Sequence, residues 1–302
     1  MQQKKKPHPL IDRIIETEEE LIQYVGNLRK KGIKEICLDL EGDQGSIRYA
    51  YSISIFQIYD GEETVIIDVL KMGNNSILRD FLTRKDIVKI MFSCHNDIYM
   101  TQNVLNCTIS PVRDIAAGQK LLGQPVNLSD HIKVDKTTKD TFQRANWLKR
   151  PIHPSMLEYA INDVLQLFDI ENAITAQLQS LNLYSEYILN SSLPTRRSFR
   201  VDQQKQYSVK FPGYPRMSDT QKRQAATLWI FRELLGKHLN SPVGYLLSKK
   251  SMSYIVRHHP DKLQVLLERE LNLKRRGGKR IPTSLIERLY KKAIRSENLP
   301  PL

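Results

Sequence analysis

The sequence predicts a mixed α/β domain followed by a small all-α domain, and three observations support this prediction. Three strand-like segments come early and include a hairpin, strand-like and helical segments then alternate to about residue 185, and residues 217–295 show helical spacing alone. Strands alternating with helices are typical of a sheet flanked by helices. The 302 residues are long enough for both domains, since one domain usually holds about 100–200 residues.

The first elements should be a helix and then a strand. Residues 10–31 have the apolar spacing of an amphipathic helix, with Thr17 as a capping residue and Glu20 at the capping-box position. Residues 34–40 alternate apolar and polar side chains, so that one face of the predicted strand is aliphatic and the other carries acids.

A hairpin and a series of alternating elements should follow. Asp60-Gly61 separates two strand-like segments, and this dipeptide favours the tight turn of a β-hairpin. Strands are predicted at about 51–59, 64–70, 87–92 and 109–112, and helices at about 77–84, 97–105, 115–122 and 154–183. The pattern predicts a mixed sheet with helices packed on it.

Composition suggests the domain boundaries. Residues 190–215 are rich in Ser, Arg, Gln and Pro with few apolar positions, which is typical of a linker. We therefore predict an N-terminal arm and helix over 1–30, an α/β domain over 31–185, a linker over 186–215 and a helical domain over 216–296.

The positive charge is concentrated in the last third of the chain. The formal net charge is +13, and residues 201–302 hold 21 Lys and Arg against 8 Asp and Glu, so residues 1–200 are neutral in sum. Such a field favours a polyanionic partner, with nucleic acid first and an anionic membrane surface second. A basic surface that serves only solubility is the alternative.

Other bulk features argue against several classes of protein. No apolar run approaches the roughly 20 residues of a membrane span, and residues 1–9 are basic and polar without the apolar stretch of a secretory signal. Cys37, Cys94 and Cys107 have no paired spacing, which argues against a disulfide framework or a zinc knuckle. We expect a soluble protein in a reducing, intracellular compartment.

Four acids and one tyrosine are the candidate catalytic residues. Asp39 and Glu41 share one strand face, where their like charges repel each other unless a cation neutralises both. Asp97 follows an apolar strand at the start of a helix, and Asp163 lies one helical turn after Tyr159. Each residue alone also fits an interpretation without a function: a polar strand face, an acid favoured by a helix dipole, or an exposed acid. Their joint order is the informative feature.

This order resembles the DEDDy family of 3′-to-5′ exonucleases, and within it ribonuclease D and the exosome-associated exonuclease. The resemblance covers about residues 10–180 and rests on seven segments in the same order and spacing. They are residues 36–41, 53–70, 89–97, 113–117, 135–136, 147–152 and 158–164. The helical tail resembles, more loosely, the helicase-and-RNase-D C-terminal (HRDC) domain.

The resemblance implies a ribonuclease-H-like sheet and two-metal-ion hydrolysis of RNA. Two divalent cations, Mg²⁺ or Mn²⁺, would be held by Asp39, Glu41, Asp97 and Asp163 and would stabilise the attacking and leaving oxygens. Tyr159 would orient the attacking water, because a phenol with a pKa near ~10 is a poor base at neutral pH. The implied substrate is RNA with a free 3′ hydroxyl end, and the implied products are nucleoside 5′-monophosphates. An RNA-processing complex could be a partner, and the sequence leaves membership of one open.

Two further groups of residues are predicted to contact RNA. In the α/β domain they are Lys136, Trp147 and Arg150. In the helical tail they form a basic loop of Lys274, Arg275, Arg276, Lys279 and Arg280. The loop also fits a nuclear import signal or an ordinary solvated turn.

Two alternative functions stay open at this point, and a third is unfavourable. The chain could be a catalytically idle RNA-binding scaffold, although all four acids and the tyrosine are present, or a DNA exonuclease, since these share the acids. Cys94-His95 could suggest a thiol nucleophile with its base, but adjacent residues on an extended segment point to opposite faces. The choice between nucleus and cytoplasm, and the natural RNA, are not indicated.

Overall fold

The computed structural model describes residues 10–73, 76–128, 131, 136–196, 203–258, 271, 281–296 and 299–300. The chain divides into two compact units. Unit 1 comprises Met1–Asp43 and Tyr51–Arg200, and unit 2 comprises Gln44–Ala50 and Val201–Leu302.

A six-stranded mixed sheet forms the centre of unit 1, and the predicted fold class is confirmed. The strands are β1 Arg13–Ile15, β2 Glu35–Gln44, β3 Tyr51–Tyr59, β4 Thr64–Asp68, β5 Val88–Met91 and β6 Val112–Asp114. Their order across the sheet is β1-β4-β3-β2-β5-β6. β1 runs parallel to β4, β2 to β5 and β5 to β6, whereas β3 and β4 are antiparallel.

The predicted hairpin joins β3 to β4. The Asp60 carboxylate accepts hydrogen bonds from the backbone N–H groups of Glu62 and Glu63 at 3.0 and 2.8 Å. Gly61 has a φ of 91°, in the left-handed region that glycine adopts without steric cost. Side-chain capping and a permissive residue therefore close the turn locally.

Helices flank the sheet: one follows β1, two follow β4, one follows β5, and the remaining five of the described helices in unit 1 follow β6. In chain order they are α1 Glu18–Lys30, α2 Val69–Met72, α3 Ser76–Thr83, α4 His95–Val104, α5 Ile115–Leu121, α6 Lys136–Gln143, α7 Pro154–Leu165, α8 Leu167–Ser180 and α9 Tyr184–Arg196. The predicted single helix over 154–183 is two helices, because the chain leaves helical geometry at Gln166, with φ −98° and ψ −2°.

The N-terminal segment differs from the prediction of one helix over 10–31. Thr17 caps α1 as expected, and its side chain accepts from the Glu20 N–H at 3.2 Å. The residues before it form β1, which pairs with β4. Ile14 and Ile15 are β-branched and favour a strand. Arg13–Ile15 is therefore an edge strand of the sheet and not part of a helix.

The predicted linker over 186–215 is also partly wrong. Its first part is helix α9, in which Tyr187 and Ser191 are buried. The sequence did not indicate this helix, because its composition is polar and Pro194 lies within it. Only one side of the helix is buried in unit 1.

Alternation along β2 determines where the acids lie. Ile36 and Leu38 belong to the apolar core that includes side chains of α1, α3 and α4. Cys37 packs instead with side chains of α5 and α8, on the other face of the sheet. Because successive side chains alternate, Asp39 and Glu41 lie on the same face as Cys37.

From residue 203 onward, the described residues of unit 2 form helices and their connections, with no strand among them. Its α-helices are α10 Tyr207–Lys210, α11 Asp219–Leu239, α12 Val243–Leu246, α13 Lys249–His258 and α14 Thr283–Ile294. Ser218 and Gln221 form a capping box at the start of α11, and Asn240 ends it in the left-handed conformation. Trp229 and Phe231 of α11 lie in the buried core. No helix in the described part of either unit combines the length and apolar character needed to cross a bilayer.

Candidate active site

Asp39 is oriented by two hydrogen bonds. Its Oδ1 accepts from the Leu40 N–H at 2.8 Å, and its Oδ2 accepts from the Gln57 side-chain amide at 3.1 Å. Gln57 is fully buried on β3, so it can hold the carboxylate in one direction. Burial raises the pKa of Asp39 to about 6, and these two hydrogen bonds oppose that rise.

Asp97 follows β5, the strand that pairs with β2, and lies near Asp39. The chain leaves β5 through Ser93, whose φ is 56°, and enters α4, with Asp97 in its first turn. The Ser93 N–H donates to Asp114 Oδ1 at 2.7 Å, which fixes this turn against the end of β6. Burial raises the pKa of Asp97, and the negative charges of Asp39 and Asp114 raise it further.

Helix α7 supplies Tyr159 and Asp163, which are one helical turn apart. Both are largely buried, with exposed fractions of 6% and 7%. A hydrogen bond links the Tyr159 side chain to that of Asp163. Burial is the main reason why the pKa of Tyr159 is raised, and the charges of Asp163, Glu41 and Asp39 add to it. The phenol is therefore protonated at neutral pH.

Glu41 lies close enough to the other three acids for each of their charges to affect its pKa. Burial raises its pKa well above the ordinary value, and the charges of Asp39, Asp163 and Asp97 follow as further causes. The structure thus brings the four predicted acids close enough to repel one another. Asp39, Glu41 and Asp97 keep partial access to solvent, so they are not sealed in the core.

The chemistry of this donor set fits divalent cations. Carboxylate oxygens are the ligands that Mg²⁺ prefers, and a bound cation relieves the repulsion that raises their pKa values. Among the described residues, no group of three or more His, Cys, Asp or Glu side chains is arranged so that it could hold a metal ion by itself. Mg²⁺ usually keeps several waters and takes one or two carboxylates together with substrate phosphates, so partly exposed carboxylates suit it.

Two aromatic side chains support the Tyr159 ring. Its centroid lies 5.2 Å from that of Phe142 and 6.5 Å from that of Trp147. The Trp147 indole N–H donates to the Phe142 carbonyl at 2.9 Å, and the indole has no exposed surface. The prediction that Trp147 contacts RNA is therefore wrong, because this side chain is a buried support for Tyr159.

The Arg150 guanidinium also forms hydrogen bonds within the protein. Its Nε and Nη2 donate to Oδ2 and Oδ1 of Asp68, each at 2.7 Å. Its Nη2 also donates to the Ser54 hydroxyl, and Nη1 donates to the carbonyls of Trp147 and Lys149. Every N–H of the guanidinium has a partner within the protein, so Arg150 holds this segment together, and its contact with RNA stays a prediction.

Sequence reasoning missed the residues that orient the site. These are Gln57, Asp68, Phe142 and Ser54. Gln57 and Asp68 both fall in segments that carry the family resemblance, which was the available signal. Lys136 begins α6, but its side chain lies outside the described residues, as does the loop over 274–280.

The thiol alternative is excluded by the environment of Cys94. The side chain is fully buried, and its pKa is raised by burial and by the charges of Asp114 and Asp97. A protonated thiol is a poor nucleophile. His95 is exposed, as expected for the neighbouring residue.

The fold and the four acids define a class of protein. Two acids on the central strand β2, one in the first turn of α4 and one beside a tyrosine on α7 are the arrangement of an exonuclease domain that cleaves phosphodiester bonds. Residues 13–179, more than half of the chain, match a family model described as a 3′-5′ exonuclease, and the chain belongs to that family.

Curated relatives agree with this assignment. The chain is 26% identical over 224 residues to ribonuclease D of Xanthomonas oryzae pv. oryzae, which covers 73% of this chain and 62% of that protein. It is 28% identical over 190 residues to the exosome complex exonuclease RRP6 of Saccharomyces cerevisiae, covering 61% of this chain and 25% of that protein. The chain therefore spans less than two thirds of the length of both relatives.

Solved structures share the fold. RNase D of Escherichia coli, described as an exoribonuclease involved in structured RNA processing, matches with a TM-score of 0.73 at 20% identity, over 95% of this chain and 77% of that one. The catalytic core of RRP6 from Trypanosoma brucei matches with a TM-score of 0.71 at 21% identity, over 97% and 83% of the two chains. At these identities the likeness shows the fold alone.

Proposed function

We propose that this chain is a 3′-to-5′ exoribonuclease of the ribonuclease D type, which hydrolyses RNA ends and releases nucleoside 5′-monophosphates. The observation that supports it best is the joint position of Asp39, Glu41, Asp97 and Asp163 around Tyr159, in a chain of the 3′-5′ exonuclease family. The names of the relatives favour RNA over DNA as the substrate.

The four acids would hold two divalent cations, Mg²⁺ or Mn²⁺. When bound, such cations supply positive charge for the attacking and leaving oxygens of the phosphodiester. Gln57 and the Leu40 N–H fix the direction of Asp39, so this carboxylate needs little reorganisation. That pre-orientation is the contribution of the sheet to the site.

Tyr159 would position the water and not deprotonate it. Its phenol keeps its proton at neutral pH, because burial and the neighbouring carboxylates raise its pKa. The hydroxyl can therefore hydrogen-bond a water beside the phosphate. Phe142 and Trp147 restrict the ring to one place, which keeps this hydrogen bond in line.

Unit 2 would hold the RNA chain while unit 1 acts on its end. Its sequence resembles an HRDC domain loosely, and the positive excess of the whole chain lies within residues 201–302. Backbone contacts by Lys and Arg displace counterions from RNA and make affinity dependent on salt. We place this activity in an intracellular RNA-processing complex.

Digestion of matched substrates tests the proposal. RNA and DNA strands of one sequence, labelled at the 5′ end, are incubated with full-length protein and Mg²⁺ or Mn²⁺. We expect a ladder of shortened RNA, nucleoside 5′-monophosphates as products, weaker cleavage of DNA and inhibition by a 3′-phosphate. A circular RNA is the control, since an exonuclease has no end to attack there. Cleavage of the circle, or equal rates on DNA and RNA, would contradict the assignment, and RNA binding without cleavage would indicate an idle scaffold.

A further inference from the structure

Unit 2 contains a basic groove that is separate from the predicted loop over 274–280. The groove has a volume of about 1050 Å³ and lies between the last turn of α11 and the face of α14. Its cationic side chains are Lys237, His238, Arg288, Lys291, Lys292 and Arg295. Glu287 is the one acid among the described residues that line it.

The cations of α14 form a continuous stripe. Arg288, Lys291, Lys292 and Arg295 recur at three- and four-residue intervals and therefore share one side of the helix, over about 10 Å of its length. Lys237 faces them from α11. All five are exposed, and within the described part of the chain none lies within ion-pair distance of an acid.

Helix dipoles account for only part of this charge. Lys237 stands in the last turn of α11, and Lys291 and Lys292 in the last turn of α14, where cations are favoured. The dipole effect is confined to the last turn, and Arg288 lies in the middle of its helix. Helix ends also do not require cations from two helices to line one concave surface.

The floor of the groove indicates the kind of polyanion that would fit. Ile230, Leu234 and Leu289 line it with aliphatic surface, and no Phe, Tyr or Trp is among the described lining residues. Base stacking on large aromatic side chains is the usual means of holding unpaired bases, and the described lining offers only the His238 imidazole for it. Cationic walls over an aliphatic floor suit alternating phosphates and sugars.

We propose that this groove binds the phosphodiester backbone of single-stranded RNA without regard to base sequence. The inference rests on the proposed function, which supplies RNA as the polyanion. A groove with walls on both sides suits a narrow chain better than a bilayer. The repeated spacing of Arg288, Lys291 and Arg295 suits the repeated charge of a nucleic-acid backbone better than the irregular charge of an acidic protein.

Two charge-matched variants of the full-length protein test the groove. The groove variant carries Arg288→Gln, Lys291→Gln and Arg295→Gln. The control carries Arg216→Gln, Lys222→Gln and Lys250→Gln, which remove the same charge from unit 2 outside the residues lining the groove. Binding of labelled oligo(A) and oligo(U) is measured in EDTA at several salt concentrations, so that cleavage does not interfere. Unchanged circular dichroism and melting temperature verify that both variants are folded.

We expect the groove variant to lose a slope of about 2 in log affinity against log salt, since each phosphate on a single strand contributes about 0.7. The loss should be similar for oligo(A) and oligo(U), while the control keeps the wild-type slope. Equal slopes in all three proteins, or equal losses in both variants, would overturn the inference. Failure of the proposed function has a different signature, because the wild type would then bind RNA in EDTA and fail to shorten it with metal.

Discussion

Arg150 holds both carboxylate oxygens of Asp68, with Nε–Oδ2 and Nη2–Oδ1 distances of 2.7 Å. Asp68 ends β4, and its side chain is only 5% exposed. Arg150 also donates to the carbonyl of Trp147, whose indole lies against the Tyr159 ring. The ion pair therefore fixes the segment that supports the phenol, and Arg150 is a positioning residue.

Replacing Arg150 should slow turnover without weakening RNA binding. Lys keeps the positive charge but cannot hold both oxygens at once, so Arg150→Lys should lower kcat by about 10–100-fold, as for other residues that orient site groups. KM for RNA should change little. The neighbouring exposed cation provides the control, and Lys149→Gln should match the wild type. A rise in KM with unchanged kcat would instead indicate that Arg150 contacts RNA directly.

Substitutions at the site should distinguish the acids, whose charge holds the cations, from Tyr159, which aligns the attacking water. Asp39→Asn and Asp163→Asn should fold and be inactive, because carboxylate charge holds the cations. Tyr159→Phe should stay active but be slower by about 10²–10⁴-fold, the range for a group that assists proton transfer. Titration calorimetry with Mn²⁺ should show binding to Tyr159→Phe and weak binding to Asp39→Asn. Wild-type turnover by Tyr159→Phe would refute the role of the phenol.

Divalent cations should stabilise the folded protein. A ligand that binds only the folded state stabilises it by about 2.7 kcal/mol at 100 times its Kd. We expect Mn²⁺ and Mg²⁺ to raise the Tm of the wild type, with Ca²⁺ as a comparison ion. Asp39→Asn should lose most of this rise while melting, without metal, no lower than the wild type. A much lower Tm for metal-free Asp39→Asn would mean that the carboxylate is structural.

Buried Lys89 should make stability depend on pH. Its Nζ donates to the carbonyls of Arg84 and Ser110 at 2.8 and 2.9 Å, and burial is the main cause that lowers its pKa from 10.5 to about 7. Between these values the unfolded chain is protonated and the folded chain is not. The free energy of unfolding contributed by Lys89 is therefore highest above about pH 10.5, and it decreases as pH falls from that value to about 7.

Comparison with Lys89→Met isolates that effect. Each pKa unit corresponds to about 1.4 kcal/mol, so the free energy of unfolding of the wild type should gain a few kcal/mol over the variant between neutral and alkaline pH. The two carbonyls left without a donor add a constant difference, and only the slope against pH is diagnostic. Denaturant unfolding of both proteins across this range gives the slope. A constant difference would show that Lys89 has an ordinary pKa.

Local signals predicted much of the fold and the acids of the site. The alternation at Asp39 and Glu41 and the Asp60-Gly61 turn depend on neighbours in sequence, so they were visible without a structure. The strand Arg13–Ile15 was not, because its partner β4 lies about fifty residues further on.

Arg150 shows the same limit within the site. A cation beside a tryptophan fits RNA contact as well as it fits an ion pair. The ion-pair partner is Asp68, which lies 82 positions earlier in the chain. Likewise, the spacing of Arg288 and Arg295 is visible in the sequence, but the opposite wall with Lys237 is a product of helix packing.

The rate of RNA shortening as a function of Mn²⁺ concentration tests the central claim most directly. The wild type and the double variant Asp39→Asn/Asp163→Asn are compared on one RNA labelled at its 5′ end. The four-acid site predicts shortening by the wild type that saturates with Mn²⁺ and stops in EDTA, and none above background by the double variant at any Mn²⁺ concentration. Shortening that persists in EDTA, or equal rates for the two proteins, would contradict a metal-dependent exonuclease site at these residues.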